Sequence, residues 1–332
     1  MGFWPSRRAP LAVNGAVHVN GHGTVALGRP PRRTRPVWNV VLFLLTCLTT
    51  LLAGTAFSGS PMFDAFRRSP EELAWVLSGV PFAATLLTIL VVHEFGHYLT
   101  ARAYGAVVSL PFFIPAPPFL FMAGTLGAII RLRSPARDRN EMFDIAVAGP
   151  LAGLAVAVPA ALLGLAWSTL VPAAPHVAFG ESVLTRALYW VRFGSIPDGM
   201  MVMTHPVADA AWFGFLVTAI NLLPAGQLDG GRIAYAVFGP RHAAIGRATV
   251  TVLLALGLAM TTWAWLRGDG WLAPLFGLNW FVLAAMIRFF IGYRAGPILD
   301  GVTPPSRWRR VVGIACLLLV LLMLPPVFIL PE

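Results

Sequence analysis

His93-Glu94-Phe95-Gly96-His97 follows directly on the apolar run Val80–Val92, and that placement decides how the chain is read. The two histidines are four residues apart, a spacing that on an α-helix returns them to nearly the same face, one turn apart. Two imidazoles so placed can share one zinc ion at roughly 2.0–2.1 Å. Glu94 projects to the side, where it can take a proton from an attacking water. Ionisable side chains inside a membrane segment are costly and mark functional sites. A core histidine satisfied by a neighbour would account for one such residue, but not for two histidines and a glutamate. The stretch therefore predicts a helix that carries hydrolytic chemistry into a buried site.

Composition supports a membrane setting. Of 332 residues, 57% are hydrophobic and 11% charged, with mean hydropathy +0.74; soluble domains carry about 25% charged residues. Such apolar content excludes disorder for most of the length. The net charge of +10 resembles a nucleic-acid-binding balance. Every basic residue is an arginine, however, and the arginines cluster between apolar runs, so no nucleic-acid partner is expected. The two cysteines, Cys47 and Cys316, each lie inside an apolar run. They read as small buried hydrophobes, which argues against a disulfide framework and a thiolate zinc site. No cleavable signal peptide is read. Residues 1–36 are rich in Gly, Pro and Arg and read as a disordered basic tail, with His18 and His22 solvated.

Apolar windows predict about seven transmembrane helices. They are placed at Val37–Ala56, Val76–Tyr104, Phe143–Leu165, Ala208–Leu223, Ala248–Leu266, Leu272–Ile291 and Val311–Leu330. The fourth is short, as expected of a helix that ends inside the protein at Pro224. Arginine bias sets the orientation. With the N-terminus inside, the tail arginines, Arg102, Arg131, Arg133, Arg137, Arg139, Arg232, Arg241, Arg247, Arg288, Arg294, Arg307, Arg309 and Arg310 are cytoplasmic. Arg67, Arg68, Arg186, Arg192 and Arg267 remain outside. The HExxH motif then lies toward the cytoplasmic end of the second span, and the C-terminus is outside.

Between the second and third spans, Val107–Arg131 holds Pro111, Pro115, Pro117, Pro118, Gly124 and Gly127, which rules out continuous helix. Val107-Val108-Ser109-Leu110 and Gly124–Arg131 are expected as short strands. Non-helical backbone at membrane depth must be buried in protein or line a wet cavity. The fold class is thus an all-α polytopic membrane protein with a short membrane-dipping β-like hairpin or loop beside the histidine helix. The outer segment Ala166–Val207 lacks clear strand alternation and holds an amphipathic helix at Val183–Phe193, packing as a lid or lying on the bilayer.

A catalytic zinc site usually has three protein ligands and a water. The best third candidate is Asp229 in Asn221-Leu222-Leu223-Pro224-Ala225-Gly226-Gln227-Leu228-Asp229-Gly230-Gly231. Pro224 and Gly226 break the helix, and Gly230-Gly231 permits a tight turn that can aim a carboxylate at a metal on a neighbouring helix. Rivals are weaker. Asp144 opens the third span, where an acidic group suits a helix N-terminus. Asp138 and Glu141 read as solvated in an arginine-rich loop. His176 and His205 fall on the outer side, and Asp209 there reads as interfacial or capping.

Together these segments resemble the site-2 protease family of intramembrane zinc metalloproteases, peptidase family M50. The resemblance rests on His93–His97, on Gly124-Thr125-Leu126-Gly127-Ala128, on Phe143-Asp144-Ile145-Ala146-Val147-Ala148-Gly149-Pro150-Leu151-Ala152-Gly153 and on Asn221–Gly231. It covers about half the chain, from Val76 to Arg241. The Gly-Thr-Leu-Gly-Ala and Gly-Pro-Leu-Ala-Gly segments are similar to the branch with chloroplast and cyanobacterial members, one without PDZ or CBS domains. The aspartate turn departs from the familiar Asn-Pro-Asp-Gly, reading Gln227-Leu228-Asp229-Gly230, a form the family also uses. The resemblance implies one Zn2+ per chain on His93, His97 and Asp229, with Glu94 as general base. It implies that Gly124, Thr125 and Gly127 belong to a strand that pairs with an unwound substrate. Gly149, Pro150 and Gly153 would allow close helix packing. Asn221 would bond the substrate backbone or the developing oxyanion, although it could equally bond a helix end freed by Pro224.

The expected activity is hydrolysis of peptide bonds within or near transmembrane segments of single-span membrane proteins, in regulated intramembrane proteolysis. The expected partners are those substrates and the lipid bilayer. The expected organisation is a tail at 1–36, a first helix and outer loop at 37–75, a protease core at 76–243 and C-terminal helices at 244–332. High arginine, alanine, proline and glycine content suggests a high-GC bacterial genome and its inner membrane. Two alternatives come from other classes. A metal-ion transporter would need acidic or histidine residues along both halves of a pathway, and the outer halves look poor in them. An inactive membrane scaffold of the same fold would tolerate loss of Glu94.

Overall fold

The computed structural model describes residues 17–19, 25–27, 36–57, 73–119, 121–173 and 177–331. Most of the tail, His22, Arg67, Arg68 and His176 lie outside the described residues. Ten helices occur among them: α1 Val37–Ala56, α2 Leu73–Ser78, α3 Val80–Ala103, α4 Arg139–Trp167, α5 Val183–Phe193, α6 Pro206–Asn221, α7 Asp229–Phe238, α8 His242–Arg267, α9 Ala273–Met286 and α10 Arg307–Met323. Short strands link them: β1 Val17–Val19, β2 Val25–Leu27, β3 Phe112–Pro115, β4 Thr125–Ile129, β5 Ala136–Asp138, β6 Thr169–Pro172, β7 Val177–Phe179, β8 Met200–Met203, β9 Ile298–Asp300 and β10 Ile329–Pro331. Each strand has one partner. The pairs β1–β2, β3–β4, β6–β8 and β7–β10 are antiparallel, and β5–β9 is parallel.

Five helical stretches are long and apolar enough to cross a membrane: Val37–Ala56, Val80–Ala103, Arg139–Trp167, Asp229–Arg267 and Gly270–Ile291. The protein is therefore polytopic, but the fourth and seventh expected spans fall outside these five: the fourth is short, as expected, and the seventh is shorter than expected. Helix α6 has 16 residues and α10 has 17. Pro224 follows closely on α6, and Pro325-Pro326 ends α10 before Leu330, where the chain has become β10. Helix α3 starts at Val80 rather than Val76, because Gly79 separates it from α2. Helix α4 starts a turn earlier than expected, where Asp138 Oδ1 accepts the Asn140 and Glu141 amides at 2.8 and 2.9 Å.

The connecting segments also differ from expectation. Residues 107–110 form no strand beyond one bridge, Val108 to Leu132. The backbone of this run bonds residues 131–133, Ser109 N–H to the Arg131 carbonyl at 3.0 Å and Arg133 N–H to the Val107 carbonyl at 2.7 Å. Asn39 Nδ2 donates to the Leu110 and Pro111 carbonyls at 3.1 and 2.8 Å and ties the end of the run to α1. The hairpin forms one step later, between β3 and β4. The segment between α4 and α6 contains β6, β7 and β8, whose mixed composition gives no alternation to read. The amphipathic helix falls where expected, as α5.

Helices α3, α4 and α6 form the centre of the molecule. Ile89, Ala157, Ala161, Ala211, Phe215 and Ala219 make a buried seam among them. Small residues set their separation: a Cβ on Gly96 would strike the Ala148 carbonyl, and one on Gly164 would strike the Ala208 backbone. A second cluster joins α4 to α7, α8, α9 and α10 through Phe143, Ile233, Leu253, Leu283 and Val320. The Arg139 guanidinium closes the C-terminus of α7, donating to the Ala236 and Val237 carbonyls at 2.8 and 3.0 Å.

Candidate active site

Helix α3 delivers His93 and His97 to the face that packs on α4 and α7, and both are buried. Asp229 enters as the first residue of α7 and is also buried. The His97 Nε2 atom lies 3.3 Å from His93 Nε2 and 3.1 Å from Asp229 Oδ2. His93 Nε2 lies 3.4 Å from the same oxygen. These separations match the edge of about 3.3 Å expected between ligands of a tetrahedral ion held at about 2.0 Å. The His97 Nδ1–H donates to the Ile145 carbonyl at 2.6 Å, which leaves the Nε2 lone pair facing the cluster. Two imidazole nitrogens and a carboxylate oxygen are a donor set suited to zinc. Among the described residues these three form the only such cluster of His, Cys, Asp or Glu.

The glycines of α4 make room for the rings. A Cβ on Gly149 would fall on the His97 imidazole, and one on Gly153 would press on His93. The turn before α7 is equally tight. Gly226 has φ +51, and a side chain at Gly230 or Gly231 would collide with the Leu222–Leu223 or Ala225–Gly226 backbone.

Glu94 is buried on the same helix turn. Among the described residues its carboxylate makes no hydrogen bond, and the charges that act on it are, largest first, those of His97, Asp229 and Arg232. Arg232 had been grouped with the cytoplasmic arginines. It lies three residues after Asp229 on α7, half-buried and without an ion pair among the described residues. Its spacing from the aspartate is the signal that would have found it, since i and i+3 share a helix face.

Gly124, Thr125 and Gly127 build the turn and edge of β4. Gly124 has φ +71 and Gly127 φ +93. Gly124 abuts the Thr49 carbonyl of α1, whereas a Cβ on Gly127 would meet open space. Thr125 Oγ1 donates to the Ile114 carbonyl at 2.9 Å and accepts the Gly127 amide at 3.1 Å, filling the bulge between β3 and β4. Among the described residues the far edge of β4 is unpaired, since its sheet has two strands. Asn221, the last residue of α6, is half-buried and makes no side-chain hydrogen bond among the described residues, so it does not cap the helix end there.

The rival acids have other work. Asp144 lies in the second turn of α4, not at its start, and accepts Arg309 Nε and Nη2 at 2.8 and 2.7 Å together with the Tyr104 hydroxyl. Glu141 is buried, not solvated, and accepts the Arg137 amide at 3.2 Å. Asp138 caps α4. Asp209 is buried and accepts the Thr204 hydroxyl at 2.6 Å. His205 Nδ1 accepts the Val207 amide at 3.3 Å as the N-cap of α6.

Comparison with known proteins bears on this geometry. The probable zinc metalloprotease EGY2, chloroplastic, of Arabidopsis thaliana is 29% identical over 291 residues, covering 85% of this chain and 47% of that protein. The probable zinc metalloprotease EGY1, chloroplastic, of Oryza sativa subsp. japonica is 31% identical over 312 residues, covering 88% and 50%. Its Arabidopsis thaliana namesake is 34% identical over 259 residues, covering 76% and 44%. The chain thus spans about half the length of the curated relatives it matches. Residues 81–263 match Peptidase family M50 and take in both histidines, the glutamate and the aspartate turn, so the chain belongs to that family.

Proposed function

We propose that this chain is an intramembrane zinc metalloprotease that hydrolyses peptide bonds within or near transmembrane segments of single-span membrane proteins. The observation that carries the reading is the convergence of His93, His97 and Asp229 beside a buried carboxylate, Glu94, that makes no hydrogen bond among the described residues. Zinc held by the three ligands would supply Lewis-acid polarisation of the scissile carbonyl and of water. Glu94 takes a proton from the water whose oxygen bonds to the scissile carbon. It returns that proton to the amide nitrogen as the C–N bond breaks. One water is consumed, and a carboxylic acid and an amine are formed, which become a carboxylate and an ammonium once the remaining water proton moves to the amine. Arg232 places a positive charge beside the carboxylate that shuttles the proton. The unpaired edge of β4 holds the unwound substrate strand, and Asn221 donates its amide to the substrate backbone.

The protein lies in a bacterial inner membrane with its N-terminus cytoplasmic and about seven crossings, α6 and α10 among them. His97 is six residues from the arginine-rich end of α3, or about 9 Å deep, so water reaches the site from the cytoplasmic side. The catalytic core comprises residues 76–243, with the tail at 1–36, the first helix and loop at 37–75 and C-terminal helices at 244–332 around it. That one such cluster occurs among the described residues favours a protease over a transporter, which needs successive sites.

The test measures zinc content and cleavage of a panel of single-span substrates for wild type and Glu94→Gln. The expected result is equal zinc in both and a rate at least about 10²-fold lower in the variant. Equal cleavage would remove Glu94 from the mechanism, and absence of zinc from both would sink the reading.

A further inference from the structure

Helix α5 has apolar residues on two sides. Thr185, Leu188 and Tyr189 face inward and share a small cavity with Ala161 and Leu165 of α4 and Phe215 of α6. On the opposite side Val183, Trp190 and Val191 are 61, 70 and 68% exposed, and Ala187 between them is exposed too. Their spacing gathers them into one stripe. The helix has 11 residues, about 16 Å, too short to span a bilayer.

Its depth follows from its contacts. Ala161 is six residues inside the end of α4, or about 9 Å below it. Helix α4 is one of the membrane-length helices, so a helix lying against Ala161 sits at the boundary between headgroups and acyl chains. Trp167 at the end of α4, Trp265 at the end of α8 and Trp271 before α9 are 57, 64 and 84% exposed. Exposed tryptophans at span ends mark that boundary. Arg186 and Arg192 are both exposed on α5. Arg186 bonds Glu181 at 3.0 Å while 79% of its side chain remains accessible. Arg192 lies over the Phe193 ring, 4.8 Å from its centroid.

We propose that α5 is an in-plane membrane helix whose Val183–Ala187–Trp190–Val191 stripe beds in the leaflet opposite the arginine-rich end. Its arginines take lipid phosphates. The occupant of this face is lipid rather than protein, for three reasons on the molecule itself. Exposed tryptophans mark the same ends of the spans, the stripe sits at interfacial depth, and Arg186 flanks it while Arg192 ends the helix. The helix thereby ties the α4–α6 connection, with its β6–β8 ribbon, to the bilayer surface.

The full chain, with Cys47→Ser and Cys316→Ser, is labelled with a nitroxide at Ala187→Cys, and separately at Val191→Cys. It is then reconstituted into vesicles of phosphatidylcholine with or without phosphatidylglycerol. Unchanged zinc content and thermal midpoint certify the labelled chains. Collisions with oxygen should exceed those with a water-soluble nickel chelate at both positions, at a depth of about 5–10 Å. The depth should increase with phosphatidylglycerol, and Arg186→Gln with Arg192→Gln should remove that increase. Free access of the nickel chelate would put the stripe in water and overturn the proposal. Low access to both agents would mean a protein cover, such as a second copy, and would overturn it as well. Depth that ignores anionic lipid would remove the arginines from it.

Discussion

Asp229 lies 132 residues beyond His97 in sequence, yet its Oδ2 stands 3.1 Å from the ring. Backbone packing makes this reach possible, because Gly230 and Gly231 press against the loop that leaves α6. Asp229→Ala should leave two ligands, and zinc retention after dialysis should drop by at least about 10-fold, since even outer-shell partners cost 10–100-fold. A metal-to-protein ratio equal to wild type would move the third-ligand role elsewhere. Gly149 offers a test that replaces no candidate ligand. Gly149→Val would drive its side chain into the His97 imidazole, with overpacking of about 1–3 kcal/mol. Loss of zinc with the fold retained by circular dichroism is expected. Full zinc occupancy would mean that α3 and α4 can part at this crossing. Arg232→Leu should keep zinc and slow turnover about 10-fold, a difference of roughly 1.4 kcal/mol. An unchanged rate constant would make its charge irrelevant to Glu94. At this scale the sequence displayed the ligand pair through i, i+4 spacing and the aspartate through its turn. Arg232 was hidden because an arginine near a span end already has an explanation in membrane orientation.

Between residue and fold stand the elements, and here the period of the pattern decided what could be read. Helix α5 was legible to the residue because its apolar positions repeat at helical spacing. The hairpin beside α3 was legible in kind but not in register. Val107-Val108-Ser109-Leu110 alternates like a strand and bonds residues 131–133, but the pairing stops at one bridge, and the Asn39 amide takes the Leu110 and Pro111 carbonyls to α1. A contact 71 residues distant cannot be seen in a local window. Strands β6 and β8 went unread because Thr169–Pro172 and Met200–Met203 have four residues each and little alternation. The hairpin yields a prediction of its own. Thr125 fills the β3–β4 bulge with two hydrogen bonds, so Thr125→Val leaves the Ile114 carbonyl and the Gly127 amide without that partner, at about 1–3 kcal/mol. Substrate cleavage should fall while zinc content stays at the wild-type level. Proportional loss of zinc would show that the hairpin supports the metal centre itself. Cleavage at the wild-type rate would dispose of strand pairing at β4.

For the whole molecule, the issue is what keeps the C-terminal helices in register with the core. Helix α10 begins at the arginine-rich end with Arg309, whose fork grips Asp144 of α4 at 2.8 and 2.7 Å. The Tyr104 hydroxyl at the end of α3 donates to the same carboxylate. Three helices therefore meet on the Asp144 side chain, and Tyr104 brings α3 to it eleven residues after His93. The pair is mostly buried, with side-chain exposures of 23 and 20%, so salt screens it less than a surface pair. A bidentate charged contact of this kind is worth on the order of 2 kcal/mol. Further along α10, Cys316 and Val320 are buried against the cluster shared with α4 and α7. Beyond its end, Pro326 accepts Trp280 Nε1 at 2.7 Å, which ties α9 to the same strap. Arg309→Leu should therefore lower the thermal midpoint of the detergent-solubilised protein by several degrees, with little dependence on salt between low and physiological ionic strength. Arg309→Lys, which keeps the charge but not the fork, should recover only part of the loss. If lysine restored all of it, charge alone would hold α10. If leucine cost nothing, the buried apolar face of α10 would suffice, and the three-helix junction at Asp144 would carry no weight in the stability of the protein.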